Sequence, residues 1–143
     1  MTEFVDLPAG HPLWEQALPV LQELRTELTA EQLDEVLAEG TPQGLRFTAA
    51  VDDGIVRAVA GWRVLANTHV RRKLYVDDLS TAASARSRGF GAALLGELTR
   101  RARELGCTMI DLDSGVHRFE AHRFYLRERM HISSHHFARS LED

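Results

Sequence analysis

"ARSRGFGAALL", residues 85–95, sets two arginines and two glycines directly ahead of an apolar run at helical spacing. Leu94, Leu95, Leu98, Ala102 and Leu105 recur at three- and four-residue steps, Glu97 and Arg101 stand four apart, and Gly106 falls where a C-terminal cap is expected. The stretch predicts a helix opened by a glycine-rich turn. The first N–H groups of a helix have no partner inside it, and the helix dipole puts partial positive charge at that end. Gly89 and Gly91 lack the side chains that would hold an anion away from the backbone. With Arg86 and Arg88 alongside, the turn is a candidate phosphate site. The same residues also fit a plain tight turn with solvated arginines.

Outward from this turn the elements alternate. "KLYVDDLST" before it reads as a strand, and "CTMIDLD" after the helix reads as a largely buried one. Upstream, "EFVDL" predicts a first strand, and "LPAGHP" breaks it ahead of a helix from about Leu13 to Thr26. Thr29 caps a second helix with Gln32 at the capping-box position, Leu33, Val36 and Leu37 facing inward and Gly40 ending it. "LRFTAAV" and "IVRAVAGWRVLA" flank the hairpin signal "DDG". Downstream, a helix from about His117 to Met130 precedes a last strand around "SSHHFARSL". The succession predicts an α/β sandwich around a mixed sheet, antiparallel at first, with a βαβ step near the middle.

A chain of 143 residues suffices for one domain with a proper core, and 44% hydrophobic with 27% charged residues is ordinary for a globular protein. The acidic start "MTEFVDLPAG" holds no apolar run, and no stretch is long enough to span a membrane, so the expectation is a cytoplasmic protein without a membrane partner. Cys107 is alone and opens an apolar run, which suits a core residue; Trp14 and Trp62 are expected in the core as well. The net charge of −4 argues against a nucleic-acid surface. Residues 1–80 hold 13 acids against 7 bases, whereas residues 81–143 hold 8 against 10. A basic half around the anion turn suits a phosphate-rich cofactor, and an acidic half, with Glu27, Glu31 and Glu35, suits a cationic second substrate. Ordinary solvated faces are the plainer alternative.

Two places carry a family pattern. Arg86, Gly89 and Gly91 fit the spacing of Arg or Gln, two residues, Gly, one residue, Gly or Ala, and "AHRFYLRERM" supplies Ala, two residues and Phe-Tyr through Ala121, Phe124 and Tyr125. Within this order of elements, from about residue 3 to 140, the chain resembles the GNAT superfamily of acyl-CoA-dependent N-acetyltransferases. Leu79 and Thr81 fit the strand before the turn, while Ala83 stands where proline is common. Arg118 replaces the asparagine often found seven before the tyrosine, and Arg129-Met130 replaces a frequent Gly-Phe.

The resemblance implies a GNAT-like α/β fold in a single domain over 1–143: a mixed, mostly antiparallel central sheet with splayed strands 4 and 5 and helices on both faces. It implies acetyl-CoA as acyl donor and no metal. The backbone of Ser87, Arg88, Gly89, Phe90, Gly91 and Ala92 would bind the pyrophosphate. The pantetheine arm would lie in the splay against Leu79, Ser80 and Thr81, with the Leu79 N–H on the thioester carbonyl. The implied activity is direct acetyl transfer to a primary amine of a small molecule or peptide. A non-catalytic acyl-CoA sensor or interaction module on the same fold is the alternative, and a homodimer is among the assemblies expected.

Transfer to an amine needs an uncharged amine, a polarised carbonyl and a proton for the leaving thiolate. The resemblance makes Tyr125 the proton donor. Asp113, at the end of the fifth strand, and Asp77 or Asp78 on the fourth are candidate bases. Strand alternation puts Asp77 on the face of Leu79 and Thr81 with Asp78 pointing away, and does not choose between them. His117, after "LDSG", is a candidate contact to the acceptor. "HISSHH" places His131 and His135 on one face of the last strand, with His117 and His122 on the helix before it. No HExxH or Cys/His spacing accompanies them, so polar roles are favoured over zinc.

Overall fold

The computed structural model describes residues 1–142. The chain forms two compact units, one over Met1–Leu112 and one from Asp113 onward. No helix among the described residues is long and apolar enough to cross a membrane.

The first unit is built on a five-stranded sheet whose spatial order follows the chain. Its strands are β1 (Thr2–Asp6), β2 (Arg46–Asp52), β3 (Ile55–Asn67), β4 (Arg71–Thr81) and β5 (Met109–Leu112). The three pairings from β1 to β4 are antiparallel, and β4 with β5 is parallel, which requires a crossover. Helix α3 (Phe90–Glu104) makes it, while α1 (Trp14–Leu24) and α2 (Ala30–Gly40) lie between β1 and β2 in the chain. The β2–β3 hairpin turns through Asp53 and Gly54, both at positive φ (53° and 74°), which suits the right-handed twist of the strands it joins. The capping box of α2 forms: the Thr29 hydroxyl accepts from the Gln32 N–H at 3.1 Å, and the Gln32 side-chain oxygen accepts from the Thr29 N–H at 3.0 Å.

Neighbouring residues on β2 show how the sheet is covered. The Phe47 ring meets Trp14 of α1 edge-on, with centroids 5.2 Å apart, whereas the Thr48 hydroxyl takes a hydrogen bond from Trp62 Nε1 at 3.0 Å and lies 3.3 Å from Arg101 of α3. Since successive side chains on a strand point to opposite faces, α1 and α2 cover one face and α3 covers the other. Leu21, Leu33 and Leu37 are buried on the first side, and Leu94, Leu98 and Ala102 on the second. The expected Glu97–Arg101 pair closes at 2.7 Å and extends to Arg100 on the same carboxylate and to Asp6 of β1 from Arg101. The Arg100 hydrogen bond, joined by that of Arg101, holds the Glu97 carboxyl down at about 2.

Several expectations are corrected. Val36, expected to face inward, is 41% exposed. β5 is half-buried to exposed rather than largely buried. In the second unit α4 spans Phe119–Arg127 instead of His117–Met130, because Gly115 to Arg118 close a turn first, with the Arg118 N–H on the Gly115 carbonyl at 3.0 Å. No strand forms around "SSHHFARSL", and residues 131–142 carry no regular structure. A strand facing a core needs its apolar residues on one side. Phe137 and Leu141, four residues apart, meet that requirement and Ile132 does not, but all three are exposed (92%, 92% and 76%), so no core receives a strand here.

Two substitutions test this packing. Gly61 sits under the buried Phe47 ring: a Cβ there would come 2.7 Å from Phe47 Cε1, and the ring is held by Trp14. Gly61→Ala should destabilise the protein by about 1–3 kcal/mol in denaturant unfolding, as overpacking does; an unchanged midpoint would contradict this packing. At the end of α4 the Met130 N–H bonds to the Tyr125 carbonyl at 3.0 Å with Arg129 in the left-handed region (φ 67°), a position that favours glycine. Arg129→Gly should therefore raise stability by about 0.5–1 kcal/mol, and a loss of stability would show that this helix end is held otherwise.

Candidate active site

The glycine-rich turn is anchored from three sides. The Ala82 N–H, just past β4, donates to the Arg57 carbonyl of β3 at 2.8 Å, the Ala83 N–H donates to the Glu23 carboxylate of α1 at 2.8 Å, and Ala82 and Ala85 are buried. The chain then passes through Ser87 and Gly89, both at positive φ (65° and 85°), before α3 begins. Gly89 is the N-cap residue, no side chain caps the helix, and the first backbone bond runs from the Ala93 N–H to the Gly89 carbonyl. The N–H groups of Phe90, Gly91 and Ala92 are thus left without acceptors in the helix, at its positive end.

Three guanidinium groups belong to this turn. Arg86 is exposed, with only a loose 3.7 Å approach to Glu23. Arg88 and Arg57 both lie against the Phe90 ring, their guanidinium carbons 5.2 and 5.9 Å from its centroid. Arg57 was not singled out from sequence, because it arrives from β3 and stands beside the turn only once β3 and β4 have paired. Its Nε is buried without a hydrogen-bond partner.

Beside the turn, the sheet opens. β5 pairs with β4 only from Lys73–Met109 to Val76–Leu112, while β4 continues to Thr81. The edge of β4 from Asp77 to Thr81 therefore has no β5 partner, which is the splay expected between strands 4 and 5. A bulge coincides with it: Trp62 of β3 pairs with Val76, Gly61 with Asp78, and Asp77 is the extra residue.

The bulge corrects the alternation expected for the two aspartates. Both meet groups on the α1–α2 side. Arg25, at the end of α1, donates to Asp78 Oδ1 at 2.7 Å and to the Asp77 carbonyl at 3.2 Å. Arg63 Nε donates to Asp77 Oδ2 at 3.0 Å and, through Nη1, reaches Gln43 beyond α2. Burial pushes the Asp77 carboxyl above its ordinary value, against the pull of the Arg63 hydrogen bond. Leu79 pairs with Ala60 of β3, and Ser80 donates its hydroxyl to the Val20 carbonyl of α1 at 2.7 Å, a buried bond that ties β4 to the helix. On β5, Asp111 binds Lys73 at 2.8 Å through one oxygen and buries the other without a partner, a feature that the alternation of "MIDL" does not announce.

On the same face a groove of about 540 Å³ opens between α1, α2 and the sheet. Its walls are mostly apolar, formed by Leu21, Leu24, Leu28, Leu33, Val36 and Phe47, with Thr26 and Gln32 also lining it. Its charged groups are Arg25, Glu27 and Asp78. Of the acids expected to face a cationic substrate, Glu27 lines the groove; Glu31 and Glu35 are exposed on α2 outside its lining.

In the second unit, burial raises the Tyr125 hydroxyl above its ordinary value of 10, while the charge and hydrogen bond of Arg118 act in the opposite sense. The arginine in the asparagine position is therefore a partner of the tyrosine. Asp113 is partly exposed, its carboxylate 3.5 Å from His136 Nδ1. The His122 Nε2 makes a 2.8 Å hydrogen bond with the Gly115 carbonyl, and His117 is exposed. His131 and His135 share no strand, and among the described residues no three His, Cys, Asp or Glu side chains group as metal ligands.

The chain as a whole has relatives among known proteins. The family model described as "Acetyltransferase (GNAT) family" matches residues 11–130. The "Uncharacterized N-acetyltransferase YhdJ" of Bacillus subtilis (strain 168) is 34% identical over 113 residues, covering 78% of this chain and 80% of that protein. Among solved structures, the aminoglycoside N-acetyltransferase AAC(6')-Iy in complex with CoA superimposes with a TM-score of 0.82 at 14% identity, over 99% of this chain and 95% of the other. A putative acetyltransferase from Agrobacterium tumefaciens str. C58 gives 0.79 at 22% identity, over 95% and 99%. The two structures share the fold; the family model, over most of the chain, and the B. subtilis relative go further, and the chain belongs to the GNAT acetyltransferase family.

Proposed function

We propose that this protein is an N-acetyltransferase that moves the acetyl group of acetyl-CoA directly to a primary amine. The observation that carries the reading is the uncapped start of α3 beside the unpaired edge of β4. A diphosphate needs several convergent donors at short range, and the N–H groups of Phe90, Gly91 and Ala92 with Arg86 and Arg88 provide them. Arg57 adds a third cation from β3. A strand edge from Asp78 to Thr81 without a β5 partner offers main-chain groups to an extended amide-containing arm, which suits pantetheine. Acetyl-CoA supplies the acyl group as an activated thioester.

The amine arrives as an ammonium and must lose a proton before it can attack. We assign that proton to Asp77, directly or through water, because its carboxyl lies at the bulge where the strands part and burial raises it toward a useful basicity. Asp78 is held by Arg25 and shapes the strand; Asp113 is the alternative base. Tyr125 gives the proton to the departing sulfur. A phenol is protonated at neutral pH and so carries the proton a donor needs, and burial acts to keep it so. The acceptor enters by the groove between α1 and α2, with Glu27 drawing the cation in. A cytoplasmic location and a homodimer belong to the same reading.

Thiol release from acetyl-CoA in the presence of amines tests the activity. Tyr125→Phe should lower the turnover number by roughly ten- to a thousandfold, with acetyl-CoA affinity and melting temperature little changed. Turnover kept within a factor of about two would reject Tyr125 as the acid. Acetyl-CoA binding without transfer to any amine would favour a binding module over an enzyme.

A further inference from the structure

The groove between α1, α2 and β4 has a chemistry that narrows its substrate. Six apolar side chains form most of its walls, with Thr26 and Gln32 as the uncharged polar groups, and its charged groups are two carboxylates and one guanidinium. Arg25 is bonded to Asp78 at 2.7 Å, so that carboxylate is already neutralised. Glu27 has no ion-pair partner among the described residues and is exposed. The groove thus carries one uncompensated negative charge, which matches one ammonium. A second cationic group on the same ligand would meet Arg25, whose side chain is 55% exposed, and gain no carboxylate in exchange.

The volume of about 540 Å³ lies in the range of sites that enclose small ligands, roughly 300–1,000 Å³. Apolar walls of this extent favour a ligand that brings an apolar body, whereas a polyhydroxylated or polycationic one would bury polar groups with few partners. The wall on α2 is completed by Val36, the residue that sequence periodicity turned inward but that stands 41% exposed toward the groove.

Resting on the acetyltransferase reading above, we infer that the acceptor is an amphipathic monoamine: a single primary ammonium on an alkyl or aryl body. The apolar body lies against Leu24, Leu28 and Val36, and Glu27 draws the ammonium inward. Polyamines and aminoglycosides are disfavoured.

Steady-state kinetics with saturating acetyl-CoA test this on phenethylamine, hexylamine, ethylamine, spermidine and kanamycin, alongside calorimetric titration with acetyl-CoA. Phenethylamine and hexylamine should exceed ethylamine in kcat/KM by roughly a hundredfold, and should exceed spermidine and kanamycin. Val36→Glu, at an exposed helix position, adds a second negative charge and removes an apolar wall. It should lower the phenethylamine-to-spermidine ratio of kcat/KM at least tenfold and leave acetyl-CoA affinity within about twofold; Val36→Ser should move the ratio in the same direction by less. Preference for spermidine or kanamycin in the wild type, or a ratio unmoved by both variants, overturns the inference while leaving the acetyltransferase intact. Acetyl-CoA binding with no transfer to any of the five amines overturns the activity and the inference with it.

Discussion

The parallel pairing of β4 with β5 ends after four residue pairs, and the chemistry proposed for this protein depends on that ending. Had β5 followed β4 to Thr81, the main-chain groups of residues 77–81 would be spent on a ladder. Instead that edge is left beside the mouth of α3, where the helix leaves its own first N–H groups without acceptors. Two kinds of unsatisfied backbone, one on a strand edge and one at a helix end, therefore lie in succession along the chain. An elongated donor with amide groups at one end and a diphosphate at the other complements both.

The bulge at Asp77 gives the opening its polarity. One extra residue on β4 brings Asp77 and Asp78 to the side of α1 and α2, where Arg63 and Arg25 hold them. The two arginines have different effects. Arg25 bridges a side chain and a main-chain carbonyl, fixing the bulge and neutralising Asp78. Arg63 opposes burial at Asp77 without cancelling it, so this carboxyl stays above its ordinary value. The close approach of Phe47 to Gly61, directly opposite Asp78, keeps the strands packed where the bulge begins.

What was legible in the sequence was local. The turn, the helix behind it, the capping box at Thr29 and the hairpin at Asp53-Gly54 each rest on residues a few positions apart, and each formed. The splay was implied by resemblance, not by spacing. The bulge was not legible, since alternation assumes regular pairing and the irregularity lies between Gly61 and Trp62 on another strand. Arg57 beside the turn and Arg25 on Asp78 were missed for a similar reason: 53 residues separate Arg25 from its partner. The expected strand around "SSHHFARSL" did not form although Phe137 and Leu141 would share a face, because both stay exposed and find nothing to pack against. Arg129 shows a departure from the family pattern with a direct physical reading, a left-handed helix end occupied by a residue other than glycine.

The most direct measurement is amide hydrogen exchange of the intact protein with and without acetyl-CoA. Added protection is expected at the amides of Leu79–Thr81 and of Ser87–Ala92, with β2 and β3 unchanged. Unaltered exchange at both segments under saturating acetyl-CoA, or protection confined to other parts of the chain, would contradict this expectation.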